Sequence, residues 1–303
     1  MVVAVRLFSL AALGVLLPSL LSAEDDYKSP LFESWKQGGE LQEEKVVKIE
    51  AYTLTLWTQR KGFDVSPSLE GKDTEKFFDD VLDVAAWAAA YADEVLDGKV
   101  HEYNLVLSSN YPKDGVSSAI RGTSAVCLNV EKWHERMYSR ESRKEVLYQS
   151  AAHEFFHVQQ YALNPPQARF WREFPAMLFE AAAIVKRGDE SGEKGIEYLW
   201  GSINSQKKQI LEAKPDLDAD FIEKTYNPQY TRGLAQTAAN IIHEGKRLKG
   251  IESICRRVLE VDALDAESFD QVLKDEDVRD GEEPLTLERA CAEFRKYLER
   301  PGK

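Results

Sequence analysis

Three residues with clear potential for metal chemistry, His153, Glu154 and His157, follow the pattern His-Glu-x-x-His. Residues four apart on a helix share one face at about 6 Å, so both imidazoles can reach one metal ion. Glu154 lies slightly to the side, where it can take a proton from a water on that metal without being a ligand. A chance match is expected in on the order of 1% of such chains. The pattern therefore predicts a metal site beside a general base.

The sequence around these residues predicts the helix that must carry them. Ser142 and Glu145 fit a capping box that opens a helix, and the prolines at 165 and 166 end it after Leu163. The two histidines then lie in the middle of the helix, where the backbone is most regular. The alternative, a buried and hydrogen-bonded histidine pair without metal, requires the rare spacing to be accidental.

A catalytic zinc site needs a third protein ligand and leaves a fourth position for water. Glu180 is the best candidate, because it is an isolated acid in an apolar run on the next predicted helix, which begins at Pro175 and ends near Gly188. Small residues at 181–183 would let that helix lie close to the first one. Glu173 is the alternative ligand, but it precedes the predicted helix start.

With these residues, the sequence resembles the gluzincin branch of zincin metallopeptidases, in which a glutamate on a following helix completes His-Glu-x-x-His. Their second motif often has the form Pro-x-Trp-x-x-Glu-Gly-x-Ala, and Pro175, Glu180 and Ala183 match it. Met177 replaces the frequent Trp and Ala181 the frequent Gly. The resemblance covers roughly residues 120–245, and His-Glu-x-x-His is its specific part.

The resemblance implies a zinc-dependent peptidase acting on a peptide or protein substrate. It implies Zn²⁺ held by His153, His157 and Glu180, with Glu154 as general base and proton shuttle. Such enzymes usually add a donor that stabilises the oxyanion. Tyr230 is the candidate for this role, and Tyr226 and His243 are its rivals.

The resemblance also implies a binding mode for the substrate. A strand at the sheet edge beside the metal helix commonly pairs with an extended peptide. Ala125–Val130 is the predicted strand in that place. A catalytically inactive, secreted peptide-binding or scaffold protein with the same fold is the alternative function.

Other segments predict an α+β, zincin-like fold, with a small mixed sheet and helices followed by a mainly helical half that carries the metal site. Predicted strands are rich in β-branched and aromatic residues and span Val46–Trp57, Tyr103–Ser108 and Ala125–Val130. Helices are predicted from periodicity at Asp73–Leu96, Tyr198–Ala213, Pro228–Glu244, Ile251–Val261 and Leu287–Arg300. Residues 46–303 are expected to form a single unit, with a sheet-containing lobe at 46–140 and a helical lobe at 141–303.

Residues 1–23 predict a secretory signal peptide. One arginine precedes the apolar run Leu7–Leu21, which Pro18 interrupts and Ala23 follows. A membrane anchor needs roughly 20 apolar residues, so cleavage is favoured over anchorage, and no stable span is expected afterwards. Residues 24–45 are then a polar N-terminal segment. The expected location is secreted or periplasmic.

Charge and the remaining motifs exclude several other functions. The chain has 39 basic and 52 acidic side chains and a net charge of −13, which disfavours nucleic acid as a partner. The Glu-x-x-His spacing at Glu131 and Glu154 also fits di-iron bundles, but those need four long helices, which the strands contradict. Of the three cysteines, Cys255 and Cys291 could form a disulfide with Cys127 left buried, or all three could be unlinked.

Overall fold

The computed structural model describes residues 31–49, 52–60, 74–112, 115–121, 123–138, 144–163, 168–191, 224 and 226–299. The predicted signal peptide and the predicted helix Tyr198–Ala213 lie outside these residues. The elements below are numbered in chain order among the described residues.

A five-stranded mixed sheet has the strand order β1-β2-β3-β5-β4. Its strands are β1 Leu41–Ile49, β2 Tyr52–Gln59, β3 Glu102–Ser108, β4 Ser117–Ala119 and β5 Ala125–Asn129. The three central strands run parallel, and β1 and β4 add antiparallel edges. The leucines of the central strands are fully buried, as expected for strands covered on both faces.

Two sequence-based strand assignments need correction. The predicted single strand Val46–Trp57 is an antiparallel pair, β1 and β2. The sequence pattern did not separate them, because β-branched residues continue in the sequence on both sides of positions 50 and 51. The predicted edge strand, now β5, lies inside the sheet between β3 and β4. The edge strand beside the helix that carries His153 and His157 is β4, which pairs antiparallel with β5. It lies between two of the predicted strands, in a stretch for which no strand was predicted, because three residues are too few to show a period.

Eight helices pack around the sheet in the described part of the chain. They are α1 Leu31–Gln37, α2 Thr74–Leu96, α3 Val130–Tyr138, α4 Lys144–Leu163, α5 Arg169–Ser191, α6 Pro228–Leu259, α7 Ala266–Asp275 and α8 Leu287–Glu299. The helix α4 packs against both α2 and α5, and α5 packs against α6. A two-stranded ribbon of β6 Arg279–Asp280 and β7 Glu283–Pro284 lies between α7 and α8.

Two helices differ from the sequence prediction, and part of the N-terminal segment forms regular structure. The helix predicted to begin at Pro175 begins at Arg169 and contains the proline. The two helices predicted between 228 and 261 are one assigned helix, α6, interrupted at Arg247, whose φ of 61° is outside the helical region. Residues 31–37 and 41–45 of the predicted polar N-terminal segment form α1 and the start of β1, because Phe32, Trp35 and Leu41 pack into the core.

The structure also bears on the possible disulfide and on the expected absence of a stable membrane span. No disulfide links Cys127, Cys255 and Cys291, and each of the three side chains is buried, so the alternative without a disulfide describes the structure. Among the described helices, no segment combines the length and the apolar composition of a membrane span.

The position of α6 depends on a close approach between Gly233 and Phe294 of α8. A methyl group added at Gly233 would overlap the buried ring of Phe294. We expect Gly233→Ala to lower the free energy of unfolding by about 1–3 kcal/mol, because overpacking forces side chains off their rotamers. Gly245, on the same helix, has no neighbour within 4 Å of an added methyl group. Gly245→Ala is therefore the control, with an expected gain of about 0.5–1 kcal/mol in a urea titration.

Candidate metal and catalytic site

Three possible ligand atoms meet between α4 and α5. Nε2 of His153 lies 3.1 Å from Nε2 of His157, and Oε2 of Glu173 lies 3.5 Å from each of them. Ligands bound at about 2.0–2.1 Å to a tetrahedral zinc ion are about 3.4 Å apart. Among the His, Cys, Asp and Glu residues of the described ranges, His153, His157 and Glu173 form a group that could hold a metal ion. One possible ligand atom from each residue lies within 4.8 Å of those of the other two. The three residues therefore fit a zinc ion.

Glu173 reaches this position because α5 begins earlier than predicted. With Arg169 as the first helical residue, Glu173 lies one turn inside the helix, facing α4. Sequence reasoning ranked it second because proline is most common in the first helical position. The apolar spacing of Phe170, Phe174 and Leu178, all buried, is the helical signal that continues upstream of the proline.

Glu180, the predicted third ligand, lies on the other side of the His153 ring. Its Oε2 is 3.4 Å from Nδ1 of His153. Its Oε1 is 3.3 Å from Nε of Arg232, whose Nη2 donates to Oε2 at 3.4 Å. A carboxylate at Nδ1 fixes the tautomer and orientation of a ligating histidine. The geometry thus favours Glu173 as the ligand and Glu180 as its support, and ligation by Glu180 stays a prediction.

Electrostatics in this cluster favour a buried cation. Burial opposes ionisation, yet Arg232 and His153 lower the pKa of Glu180 below its ordinary value. Likewise, His157 and His153 hold the pKa of Glu173 well below its ordinary value despite burial. Burial lowers the pKa of His153, but hydrogen bonds to Glu173 and Glu180 outweigh it and raise the pKa to about 10. The site thus stabilises positive charge between its two carboxylates.

The ring of His157 is held in one tautomer. Its Nδ1 lies 3.0 Å from Oε1 of Gln160, and the amide nitrogen of Gln160 donates to the carbonyl oxygen of Arg172 at 3.3 Å. Because that amide nitrogen is used as a donor, Oε1 accepts from Nδ1–H of His157. Tyr161 stacks on the ring, with centroids 5.5 Å apart and 7° between the planes. Nε2 of His157 therefore keeps a lone pair for a metal.

Glu154 is anchored to the edge strand. Its Oε2 accepts from the backbone N–H of Ala119 at 2.6 Å, and its Oε1 lies 3.4 Å from Oγ of Ser117. The backbone of Val116 and Ile120 bonds to β5. Because main-chain groups alternate in direction along a strand, those of Ser117 and Ala119 point away from the sheet. The carboxylate thus lies against the free edge and not between the two Nε2 atoms.

Two cavities flank Glu154, and both include Ser117 and His153. One, of about 250 Å³, is lined by Ser117, Ser118, Ala119, Arg121, His153, Glu154, His157, Tyr161, Arg169, Arg172 and Glu173. The other, of about 410 Å³, is lined by Gly115, Val116, Ser117, Arg136, Val146, Gln149, Ser150, His153, Glu154, Glu180 and Arg232. An extended molecule along β4 would occupy both cavities.

The three candidates for the oxyanion donor lie at different places. Tyr230 is buried in the first turn of α6, and neither Tyr230 nor Tyr226 lines either cavity. Tyr226 lies just before the N-cap Asn227, with the guanidinium of Arg169 4.4 Å from its ring centre. Burial and then the charge of Glu173 raise the pKa of Tyr226. His243 lies further along α6, and its pKa is lowered by burial and by Arg247.

Metal binding should release protons. The pKa of His153 is about 10 without metal, so the ring is protonated at pH 7 and must lose its Nε2 proton before that atom can bind a cation. We expect release of at least about one proton per zinc at pH 7, and an affinity that rises about tenfold per pH unit between pH 7 and 9. Calorimetric titration in two buffers with different ionisation enthalpies measures the proton count. Equal heats in both buffers would contradict the arrangement.

Comparison with known proteins identifies the fold. No protein-family model and no curated protein sequence matches the chain. An M1 zinc metallopeptidase from Deinococcus radiodurans aligns with a TM-score of 0.50 and 12% identity, over 87% of this chain and 53% of that chain. A mutant of an M1 zinc metallopeptidase from the same organism, bound to a Tyr-Ser-Ala substrate, aligns with a TM-score of 0.48 and 11% identity, over the same shares.

The chain spans about half the length of the solved structures that it matches. Its architecture, a small mixed sheet followed by a helical half, is the α+β fold of the M1 zinc metallopeptidases. The expected fold class is therefore confirmed.

Proposed function

We propose that this protein is a zinc-dependent peptidase. His153, His157 and Glu173 are assigned as the protein ligands and Glu154 as the general base. The observation that carries the proposal is the triangle of ligand atoms with sides of 3.1, 3.5 and 3.5 Å, which lies beside a carboxylate held at a free sheet edge. The fold shared with M1 zinc metallopeptidases supports the same class of chemistry.

The bound zinc ion would polarise the substrate carbonyl and lower the pKa of water to about 7. The chain's own residues perform the proton transfers. Glu154 takes a proton from the attacking water at a carboxylate oxygen and returns it to the leaving amine. The N–H of Ala119 holds Oε2 of that carboxylate in place. Gln160 holds the imidazole of His157 by a hydrogen bond at Nδ1. The carboxylate of Glu180, 3.4 Å from Nδ1 of His153, favours the charged form of the other imidazole.

The substrate is proposed to bind as an added strand on β4. Because Ser117 and Ala119 direct their main-chain groups away from β5, an extended peptide can bond to the main-chain groups of Ser117 and to the carbonyl oxygen of Ala119. The N–H of Ala119 is already used by Glu154. Such a peptide would pass Glu154 and extend into the cavities on both of its sides. We further propose that the mature protein acts outside the cytoplasm, on the strength of the apolar run before Ala23.

Tyr226 is proposed as the oxyanion donor in preference to Tyr230. Removing such a donor typically costs about 10²–10³ in kcat, so Tyr226→Phe should lower kcat by about that factor. Tyr230→Phe is the matched control, and its kcat should stay within about twofold, since burial is the cause that raises the pKa of Tyr230 and no charged group of the site contributes. Steady-state kinetics on one peptide measures both variants. A loss confined to Tyr230→Phe would restore Tyr230, the first candidate from the sequence.

The proposed function is tested with the purified mature chain and a mixture of peptides analysed by mass spectrometry. We expect stoichiometric zinc, cleavage at defined bonds, loss of cleavage with a chelator, and recovery when zinc is restored. Stoichiometric zinc without cleavage of any peptide would favour the alternative, a peptide-binding scaffold. Absence of zinc binding would overturn the proposal.

A further inference from the structure

The cavity on the Tyr161 side of the site is basic, in a chain whose net charge is −13. Three of its lining residues are Arg121, Arg169 and Arg172. Arg121 lies two residues beyond the last residue of β4, and the other two lie in the first four residues of α5. The arginines thus come from two elements on either side of the cavity.

Two of these guanidinium groups have no carboxylate partner in the part of the chain that the structure describes. Within the described residues, Arg121 makes no ion pair, and the contact of Arg169 is with the face of the Tyr226 ring. Arg172 differs, because its Nε lies 3.3 Å from Oε1 of Glu173. Arginine in proteins is permanently charged, so the cavity holds two cations with no anion assigned to them.

The metal site does not neutralise these cations. The two carboxylates of the cavity, Glu154 and Glu173, carry two negative charges against the two of a zinc ion and the one of Arg172, so none is left to compensate Arg121 and Arg169. Basic residues at the start of α5 also lie at the positive end of the helix dipole, where they are unfavourable. The fold therefore concentrates positive potential where a substrate would lie.

We infer that this cavity is a specificity subsite that binds a carboxylate of the substrate through Arg121 and Arg169. This inference rests on the proposed peptidase function. In a peptide, the carboxylate is an Asp or Glu side chain or the chain terminus, and the planar guanidinium can bind either through paired hydrogen bonds. A free terminal amine would be repelled from the same place.

Binding to the inactive Glu154→Gln protein, loaded with zinc, tests the subsite without turnover. The probes are fluorescent alanine-based hexapeptides with both ends blocked, in which one Glu is moved along the chain, and their Gln counterparts. A Gln peptide with a free C-terminal carboxylate forms the second arm. Charge-assisted hydrogen bonds predict at least about a tenfold preference for the carboxylate over its neutral twin in one arm. A preference in the Glu peptides identifies an acidic side chain as the bound group, and a preference in the second arm identifies the terminal carboxylate.

Arginine variants of the Glu154→Gln protein test whether the preference for the carboxylate peptide arises in this cavity. Arg121→Gln together with Arg169→Gln should reduce it to less than about threefold. Arg121→Gln alone should also reduce it, and that residue contacts neither the proposed ligands nor Tyr226. Arg256→Gln is the control for Arg121→Gln, since this exposed arginine lines a different cavity and each of the two single variants removes one positive charge. Its preference should be unchanged.

Each result separates this inference from the proposed function. Equal binding of acidic and neutral peptides, or no measurable binding of either carboxylate probe, overturns the subsite. A preference that survives both arginine changes also overturns it. If the unmutated zinc protein still cleaves neutral peptides, the peptidase proposal stands alone. If it cleaves no peptide but shows the arginine-dependent preference, the subsite stands and the peptidase proposal falls.

Discussion

Glu154→Gln is expected to lower kcat for peptide hydrolysis by about 10²–10⁴-fold, the usual contribution of general acid–base catalysis. The amide has the same shape and can still accept from the N–H of Ala119, which is 2.6 Å from Oε2 in the structure. It cannot take up a proton from water. Because the side chain is not a proposed ligand, the variant should bind zinc with the same stoichiometry. The measurements are kcat on one peptide and zinc content by elemental analysis.

The control for this variant is Glu135→Gln. Glu135 is exposed on α3, and it follows His134 in a His-Glu pair that lacks the second histidine of the motif. Its kcat and zinc content should equal those of the unmutated protein. Unchanged hydrolysis by Glu154→Gln would remove the general-base assignment.

Glu173→Gln is expected to weaken zinc binding by more than about a hundredfold, because it replaces the carboxylate, one of the three proposed protein ligands, by a neutral amide. Glu180→Gln should weaken it by only about 10–100-fold, the typical cost of changing a partner behind a ligand. The reason is geometric: Oε2 of Glu173 lies 3.5 Å from both Nε2 atoms, whereas Oε2 of Glu180 lies 3.4 Å from Nδ1 of His153. Competition with a chromophoric chelator measures both affinities.

Each of these two variants serves as the other's control. Both remove one negative charge from α5, where Glu180 is buried and Glu173 is partly exposed, so a general effect of charge should be similar in the two. Far-UV circular dichroism checks that both are folded. If Glu180→Gln loses more affinity than Glu173→Gln, the ligand set predicted from the sequence, with Glu180 as third ligand, replaces the one that the geometry favours.

Local patterns were sufficient for much of the fold. The helix predicted at Asp73–Leu96 differs by one residue from α2, Thr74–Leu96, and the strand predicted at Tyr103–Ser108 differs by one residue from β3. Both are long or strongly apolar segments, in which the spacing of buried residues is a local property. Agreement is poorer at β4 and at the start of α5. A three-residue strand and a helix that contains proline are stabilised by tertiary contacts. These contacts involve residues distant in the sequence, so a short stretch of sequence does not reveal them.

The amino-acid sequence alone determined the pairing of His153 with His157 and the placement of Glu154 beside them, because helical geometry puts residues four apart on one face. It also identified Glu180 as a buried acid in need of a partner. Only the tertiary structure decided that its partners are Arg232 and Nδ1 of His153, and that Glu173 is the carboxylate at both Nε2 atoms. The choice depends on how α5 packs against α4 and α6. That packing joins residues far apart in the chain, and no spacing along one helix specifies it.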